Sequence, residues 1–488
     1  MTPSRAARSV ALAALLLGVV GCTSGGGPTP PPSASSADAL ARVVTDFVVG
    51  EGIAAEDFTV TATISTVDPT WGRFIEEPTP AAMATFQTTY GYGRFVDGAW
   101  TIVGYGSAEV GCPGGPPGTE VPAEVLLAFG DVCPPSATTA RISAGGYHTC
   151  ALNAGGVASC WGLGEYGQLG TGATDSSVAP VTAAMPDGVV FREVASGNAH
   201  TCAIADDGAV WCWGIDGDGI HDAQGNDAHG PRLVRFPVDV VATTIDGYYH
   251  VCVTADDGTA WCWGRDTEGQ LGNGSTTDSV APVQVAMSED VAFTRVVTGG
   301  FHTCAIDADG TAWCWGQDLH GQLGDGGTDG DHGTPGRVAM PMGVTFTALS
   351  AGFAHACALD ADGAAWCWGD DSSGQLGDGG AVDEPAPVAV AMPGGVRFTA
   401  IDAGNAHTCA LATDGTVWCW GLGVQGAAPT PVAIDGVVAA AISAGGFHTC
   451  VLATDGSAWC WGDDSSGQLG IGATGGATPP TRVADWSA

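Results

Sequence analysis

Residues 196–214 read SGNAHTCAIADDGAVWCWG, and close variants of this stretch recur seven times at intervals of about fifty residues. Each copy has a histidine two residues before one cysteine and a second cysteine ten residues further on. The seven pairs are Cys150 and Cys160, Cys202 and Cys212, Cys252 and Cys262, Cys304 and Cys314, Cys357 and Cys367, Cys409 and Cys419, and Cys450 and Cys460. Such self-similarity at a fixed period predicts a repeat architecture.

The spacing within each pair fits two neighbouring strands of a hairpin. Asp206, Asp207 and Gly208 predict a three-residue turn, with Gly208 in the left-handed conformation, so that Cys202 faces Cys212. Facing residues of antiparallel strands can lie close enough for a disulfide. A zinc site in each repeat would lack a fourth ligand beside two thiolates and one imidazole. We therefore expect a disulfide in each repeat, contributing roughly 2 to 3 kcal/mol.

The amino terminus predicts export. Arg5 and Arg8 precede an apolar run, residues 10–20, that is too short for a permanent membrane span. The run ends in Val19-Val20-Gly21-Cys22, which resembles the lipobox of bacterial lipoproteins. We expect residues 1–21 to be a lipoprotein-type signal peptide, with ordinary cleavage as the alternative. Lipid on Cys22 would then be the sole membrane contact of an extracytoplasmic protein, and residues 22–37 would form a flexible tether.

Counting cysteines agrees with an oxidising compartment. Of the 17 cysteines, Cys22 is assigned to the lipid and fourteen to the repeats. Cys112 and Cys133 remain, and we predict that they form an eighth disulfide. Because no cysteine is left over, the bookkeeping favours disulfides over metal ligation in an exported chain.

Composition excludes some classes of partner. The chain has 488 residues, of which 45% are hydrophobic and 77 are glycine, as suits short strands joined by tight turns. Its formal net charge is −38, with 52 acidic residues against 14 basic ones, all arginine. Such a surface repels phosphate backbones, so we expect no nucleic-acid partner. We also expect a monomer without a cofactor.

Four strands are predicted in each repeat. In the second copy they lie near residues 191–196, 201–205, 209–215 and 233–238, and the first strand ends in small residues. Small side chains fit where strands crowd around a channel, whereas paired tryptophans such as Trp211 and Trp213 fill the space between sheets. The predicted fold is mainly β: a seven-bladed β-propeller of four-stranded blades over residues 138–488.

These motifs resemble a known family. The pattern G-x-x-H-T-x-A-L-x-x-D-G-x-x-x-x-W-G, followed by G-Q-L-G, is similar to the regulator of chromosome condensation repeat and covers about residues 138–488. The resemblance implies a seven-bladed propeller. The family's best-known member is a nuclear nucleotide-exchange factor that contacts nucleosomes, but the matching residues here build blades, so that activity is not expected. A secreted bacterial β-lactamase inhibitor with a similar propeller grips its target enzyme through loops.

A different unit precedes the repeats. Residues 38–135 are predicted to form a small α+β domain, because residues 39–49 have apolar side chains at helical spacing and residues 58–64 alternate like a strand. Further strands are expected at residues 90–95, 100–105 and 124–129.

Irregular loops offer candidate ligands. Unit two replaces G-Q-L-G by a longer acidic loop whose candidate metal ligands are Asp216, Asp218, Asp222, His221 and His229. Ile220 stands where a calcium loop would need a third oxygen ligand, so that pattern is incomplete. The loop of unit four offers Asp325, Asp329 and Asp331, spaced no better.

Seven of the eleven histidines recur at one repeat position. A catalytic group is needed only once, so these residues are predicted to be structural, each imidazole being hydrogen-bonded at the inner strand of its blade. They are His148, His200, His250, His302, His355, His407 and His448. The other four, His221, His229, His320 and His332, lie in predicted loops of units two and four. No catalytic residue is assigned.

The function predicted from the sequence is a cell-surface binding module. Loops of one propeller face would bind an extracellular protein or envelope component, because only non-repeated residues can give specificity. One alternative is an extracellular lyase or hydrolase that uses the four loop histidines. Another is a structural envelope protein without a specific ligand.

Overall fold

A computed structural model describes residues 58–64, 71–78, 89–96, 99–106, 141–215, 228–287, 291–328, 330–423 and 426–486. The chain divides into two compact units, residues 1–137 and 138–488. No helix occurs among the described residues. That part of the chain accordingly offers no helical segment of the length and hydropathy that crossing a membrane requires.

The first unit contains one four-stranded antiparallel sheet with the strands in chain order. The strands are β1 (Phe58–Ile64), β2 (Trp71–Pro78), β3 (Thr89–Val96) and β4 (Ala99–Gly106). Three of them lie where strands were predicted, whereas β2 was not predicted. The helix expected at residues 39–49, the strand at 124–129 and the disulfide between Cys112 and Cys133 lie outside the described residues.

The second unit is a seven-bladed β-propeller in which every blade is a four-stranded antiparallel sheet. Blade 1 consists of β5 (Arg141–Ala144), β6 (His148–Leu152), β7 (Ala158–Gly162) and β8 (Ser177–Thr182). Blade 2 consists of β9 (Phe191–Ser196), β10 (His200–Ala205), β11 (Val210–Gly214) and β12 (Ala228–Leu233), and blade 3 of β13 (Ala242–Gly247), β14 (His250–Ala255), β15 (Ala260–Gly264) and β16 (Ser279–Gln284). Blade 4 consists of β17 (Phe293–Thr298), β18 (His302–Asp307), β19 (Ala312–Gly316) and β20 (His332–Arg337).

Blades 5 to 7 repeat the same order. Blade 5 consists of β21 (Phe346–Ala351), β22 (His355–Asp360), β23 (Ala365–Gly369) and β24 (Glu384–Ala389). Blade 6 consists of β25 (Phe398–Ala403), β26 (His407–Ala412), β27 (Val417–Gly421) and β28 (Thr430–Val432). Blade 7 consists of β29 (Ala439–Ala444), β30 (His448–Ala453), β31 (Ala458–Asp464) and β32 (Gly475–Arg482). Each blade uses four consecutive strands, so the ring closes between blades 7 and 1 without exchanging a strand.

The hairpin register agrees with the prediction. Cys202 pairs with Cys212 across the two middle strands of blade 2, and the N–H of Ala205 donates to the carbonyl of Ala209 at 2.8 Å. Gly208 has a φ of +82°, as the turn requires. The predicted three-residue turn therefore sets which residues face each other.

Every repeat contains the disulfide that this register allows. The bonds join Cys150 to Cys160, Cys202 to Cys212, Cys252 to Cys262, Cys304 to Cys314, Cys357 to Cys367, Cys409 to Cys419 and Cys450 to Cys460. The two Cα atoms lie 4.2 Å apart in the third blade and 4.1 Å apart in the other six. Each disulfide thus links neighbouring strands of one blade, and none of these seven joins two blades.

The fourth strand of blade 2 was predicted too late in the chain. It spans Ala228–Leu233 instead of residues 233–238. The strand contains Gly230 and Pro231, residues that are typical of turns. The outermost strand of a blade has a free edge, where proline removes no ladder hydrogen bond.

Tryptophans fill the space between blades, with one correction. The second member of each Trp-Cys-Trp motif is fully buried in blades 2 to 6: Trp213, Trp263, Trp315, Trp368 and Trp420. The first member is only half-buried in most blades, as at Trp211 and Trp313. At the ring closure, Trp161 of blade 1 packs against Trp486, their ring centroids 6.1 Å apart.

Candidate functional site

The first strand of each blade lines the central channel. Its small residues Ala144, Gly145, Ala403, Gly404, Ala444 and Gly445 reach the cavity, as the sequence predicted. Polar side chains share this lining, above all Asp246 of blade 3 and Asp402 of blade 6. The channel lining is therefore partly polar. Its two carboxyls stand at equivalent positions, because Asp246 pairs with Cys252 and Asp402 pairs with Cys409, the first cysteine of each blade.

A row of side-chain oxygens joins neighbouring blades next to the channel. At the position that pairs with the first cysteine, a serine or aspartate accepts the backbone N–H of the next blade's first strand. Written as backbone donor to side-chain acceptor, the bonds are Ser196 N–H to Ser143 Oγ (2.8 Å), Thr298 N–H to Asp246 Oδ2 (2.8 Å), Ala403 N–H to Ser350 Oγ (3.0 Å), Ala444 N–H to Asp402 Oδ2 (2.8 Å) and Ala144 N–H to Ser443 Oγ (3.0 Å). We call these bonds the inner row.

A second row lies one strand further out and uses the repeated histidines. The Nε2 atom of one blade's histidine is hydrogen-bonded to a threonine hydroxyl of the next blade. The pairs are His148 with Thr201 (2.8 Å), His250 with Thr303 (2.6 Å), His355 with Thr408 (2.9 Å), His407 with Thr449 (2.9 Å) and His448 with Thr149 (2.8 Å). We call these bonds the outer row. The predicted structural role is thus found for these five histidines, but they lie on the second strand of each blade and not on the innermost strand, as was predicted.

The threonine hydroxyls also anchor the loops. Thr201 donates to the carbonyl of Gln168 at 2.9 Å, and the Trp213 Nε1–H donates to the same oxygen at 2.9 Å. Gln168 belongs to the G-Q-L-G segment of the preceding blade, so this motif docks one blade's loop onto the next. The same arrangement recurs at Gln270 and Gln375.

Burial fixes the charge state of these groups. It lowers the pKa of His148 and His355 to about 3 and of His302 and His407 to about 4, so the imidazoles are neutral at physiological pH. Burial raises the pKa of Asp246 to about 6, against the opposing hydrogen bonds from Thr298 and Gly247. These are the properties of an internal scaffold.

The connections between strands 1 and 2 and between strands 3 and 4 lie at one end of each blade, because consecutive antiparallel strands reverse direction. We call this end the loop face. It carries the non-repeated loops, and the opposite end carries the Asp-Asp-Gly type turns.

An aromatic cluster lies at one side of the channel mouth on the loop face. Tyr249 lies 5.3 Å from Phe301, and Phe301 lies 5.5 Å from Phe353, measured between ring centroids. The guanidinium carbon of Arg265 lies 4.8 Å from the centroid of Phe301. Tyr248 extends across the mouth from blade 3 to blade 6, where its hydroxyl donates to Asn405 Oδ1 at 2.7 Å. The cluster therefore covers one side of the mouth, and Tyr248 and Phe353 also line the cavity.

The loop histidines have separate partners. His320 Nδ1 lies 2.8 Å from Asp383 Oδ2, and His332 Nε2 lies 3.9 Å from Asp325 Oδ2. His229 is half-buried in β12 against the loop of blade 1 at Gly167. Of the three predicted loop histidines that the structure describes, only His320 lies in a loop, because His229 belongs to β12 and His332 is the first residue of β20.

Most predicted metal ligands lie beyond what the structure describes. Asp216, Asp218, His221, Asp222 and Asp329 are outside the described residues. Asp331 accepts the backbone N–H of Asp318 at 3.1 Å, whereas Asp325 faces His332, so these two acids have different tasks.

Comparison with known proteins supports the resemblance. A family model described as the regulator of chromosome condensation (RCC1) repeat matches residues 140–168, 191–220, 238–270, 293–322, 346–375, 398–427 and 439–468. A related model of the same description matches residues 160–204, 257–306, 309–359 and 362–411. The ultraviolet-B receptor UVR8 of Arabidopsis thaliana is 30% identical over 310 residues, which are 60% of this chain and 68% of the receptor.

The chain belongs to the RCC1 repeat family. Other RCC1 relatives are much longer: human E3 ubiquitin-protein ligase HERC2 is 28% identical over 340 residues, which are 67% of this chain but 7% of HERC2. Among solved structures, yeast Prp20p has a TM-score of 0.59 at 23% identity, covering 67% of this chain and 85% of Prp20p. Human WBSCR16 has a TM-score of 0.59 at 20% identity, and the match covers 66% of this chain and 93% of WBSCR16. These structures show the shared fold.

Proposed function

We propose that this chain is an exported, lipid-anchored propeller that binds a protein partner through its loop face. RCC1-type propellers commonly serve as protein-binding modules, and solved structures include yeast RCC1 (Prp20) bound to Kap60. Yeast Prp20p is also described as binding Gsp1p and histones. Those partners belong to the yeast protein, and the net charge of −38 here disfavours any acidic or nucleic-acid partner.

The aromatic cluster is the observation that carries the proposal. Aromatic side chains and arginine are enriched at the energetic centres of protein interfaces. Four rings and Arg265 meet on the side of blades 3 to 5, whereas blades 2, 5 and 6 have alanine immediately before the repeated histidine. The scaffold does not require Tyr249 or Phe301, because the blades with alanine at that position form the same hairpin. Tyr248 and Phe353 stand one position earlier, where the other blades have glycine or asparagine.

Export and anchoring rest on the amino terminus and on cysteine use. Fourteen cysteines paired within blades suit an oxidising compartment. Cys22 would carry the lipid. Mass analysis of the amino-terminal peptide from a membrane fraction tests this step, and a diacylated cysteine at residue 22 is the expected result.

The binding proposal is tested by capture from the envelope fraction of the native organism. The full chain should retain a saturable protein partner, and the double variant Phe301→Ala/Phe353→Ala should lose at least about tenfold in affinity, as hot-spot residues do. Phe447→Ala is the matched control, since Phe447 is a 44% exposed aromatic of the loop face on blade 7.

Equal retention by the double variant and the wild-type chain would contradict binding through the aromatic cluster. The absence of any saturable partner would favour a structural envelope protein instead.

A further inference from the structure

Three potential metal ligands meet where the loops of blades 4 and 5 touch. His320 lies in the loop after β19, Asp370 directly follows β23, and Asp383 directly precedes β24. One ligand atom from each lies within 4.8 Å of the other two. The group joins two blades, because His320 comes from blade 4 and both aspartates from blade 5.

Hydrogen bonds around the group hold its carboxylates in place. Asp383 Oδ1 accepts the backbone N–H of Asp371 at 3.0 Å, which leaves Oδ2 towards His320 Nδ1 at 2.8 Å. Asp370 Oδ2 accepts the Gln375 side-chain amide at 2.7 Å. Partners of this kind orient the ligands of metal sites. His320 and Asp383 are 43% and 40% exposed, so an ion and its water could enter.

The histidine is an addition to the repeat, whereas Asp383 belongs to the scaffold. Asp278 and Asp331 accept a loop N–H in blades 3 and 4 just as Asp383 does in blade 5. The residue before G-Q-L-G is His320 in blade 4, but the other G-Q-L-G loops have Tyr166, Glu268, Ser373 and Ser466 there. Within the part of the chain that the structure describes, a nitrogen ligand beside two carboxylates therefore occurs only at the boundary of blades 4 and 5.

We propose that His320, Asp370 and Asp383 bind a divalent transition-metal ion of the zinc class across blades 4 and 5. One imidazole and two carboxylates are three of the four ligands of a tetrahedral zinc site, and water supplies the fourth. Calcium is less suited, because it takes six to eight oxygen ligands and no imidazole. The bound ion would tie together the loops of two blades.

The test is a zinc titration of the full chain, purified without a polyhistidine tag and freed of metal. Because His221 and His229 are the other histidines predicted as metal ligands, the parent for all variants is His221→Ala/His229→Ala. We expect one equivalent of zinc to bind the parent and to raise its melting temperature. His320→Ala should weaken binding by at least about tenfold, since even a second-shell change typically has that effect.

His332→Ala is the matched control, because His332 is equally exposed (44%) on the same blade but faces a single carboxylate. It should bind zinc as the parent does. Asp370→Asn provides a second test that preserves side-chain size, and circular dichroism confirms that each variant is folded. The proposal is overturned if the parent and His320→Ala bind zinc equally, or if His332→Ala loses binding to the same extent.

Discussion

Five of the seven blade boundaries differ in kind from the other two. The boundaries 1/2, 3/4, 5/6, 6/7 and 7/1 have both an inner-row and an outer-row hydrogen bond. Boundaries 2/3 and 4/5 have apolar residues at both positions. At boundary 2/3, Ala195 stands at the inner-row position and Val251 at that of the outer-row threonine, and at boundary 4/5 these residues are Val297 and Ala356. The residues of the two rows therefore change together.

The two boundaries without the rows show which contacts suffice to join neighbouring blades. Boundary 2/3 is filled by apolar contacts such as those of Val251, Val253 and Trp263, with Ala195 from the neighbouring blade. Boundary 4/5 packs Val297 with Leu349 and Trp368 in the same way. A boundary can therefore form without either row, through apolar packing together with other bonds between blades, such as Asn198 N–H to the Tyr248 carbonyl (3.0 Å) and Trp368 Nε1–H to the Gln322 carbonyl (3.0 Å). The two rows add buried hydrogen bonds at the other five boundaries.

The largest effect is expected from Asp402, which serves two boundaries. Its Oδ1 accepts the Ser350 hydroxyl at 2.8 Å, and its Oδ2 accepts the Ala444 N–H. Asp402→Ala leaves two buried donors unsatisfied, so we expect the free energy of unfolding to fall by about 2 to 3 kcal/mol. Denaturant titration measures the loss, and amide exchange should show less protection at Ala444.

Asp402→Asn is the control, because its remaining oxygen can accept one of the two bonds, and its loss should be less than half as large. A loss under about 0.5 kcal/mol in Asp402→Ala would mean that the inner row adds nothing beyond packing.

Burial, and not the outer-row hydrogen bond, should set the charge state of the repeated histidines. Burial holds the pKa of His148, in a boundary with both rows, at about 3, and that of His302, opposite Ala356, at about 4. Both values lie below the 6.5 of an unfolded chain, which therefore binds more protons between pH 6.5 and 4. Stability is fully present above about pH 6.5 and falls with acidification, by up to about 1.4 kcal/mol per pH unit for each histidine.

His148→Gln and His302→Gln should each reduce this slope by nearly one proton, irrespective of boundary. Unfolding measured at about pH 6.0, 5.5 and 5.0 gives the slopes. The buried carboxyl of Asp246 has the opposite effect on the pH dependence of stability, because its pKa is raised to about 6 and the folded state binds the extra proton. Both variants keep Asp246, so its effect cancels when their slopes are compared. A difference of more than half a proton between the variants would show that hydrogen bonding, not burial, sets the pKa.

The blade architecture could be predicted from sequence because its evidence lies within one repeat. The turn at Asp206-Asp207-Gly208 fixes the register of one hairpin, and the register fixes the pairing of Cys202 with Cys212. The seven copies then give the number of blades. Outer strands were harder to place, since β12 has a glycine and a proline that suggest a turn.

The contacts between blades were missed because each one joins two repeats. His148 and Thr201 are 53 residues apart, and His320 and Asp383 are 63 apart. A signal was nevertheless present: where threonine after the repeated histidine becomes Val251 or Ala356, the preceding blade has Ala195 or Val297 instead of serine or aspartate. Comparing columns of adjacent repeats would have paired these substitutions.

The smallest effect is expected from installing an outer-row bond at boundary 4/5. Ala356→Thr places a hydroxyl beside the carbonyl of Gln322, which already accepts the Trp368 Nε1–H at 3.0 Å, as the equivalent oxygens do in blades with threonine. We expect a gain of about 0.5 to 1 kcal/mol in the free energy of unfolding, the net value of one buried hydrogen bond. Ala356→Val has the same size without the hydroxyl and should not gain. If valine stabilises as much as threonine, the boundary lacks only volume, and the hydrogen-bonded rows are not what distinguishes the five boundaries from the two.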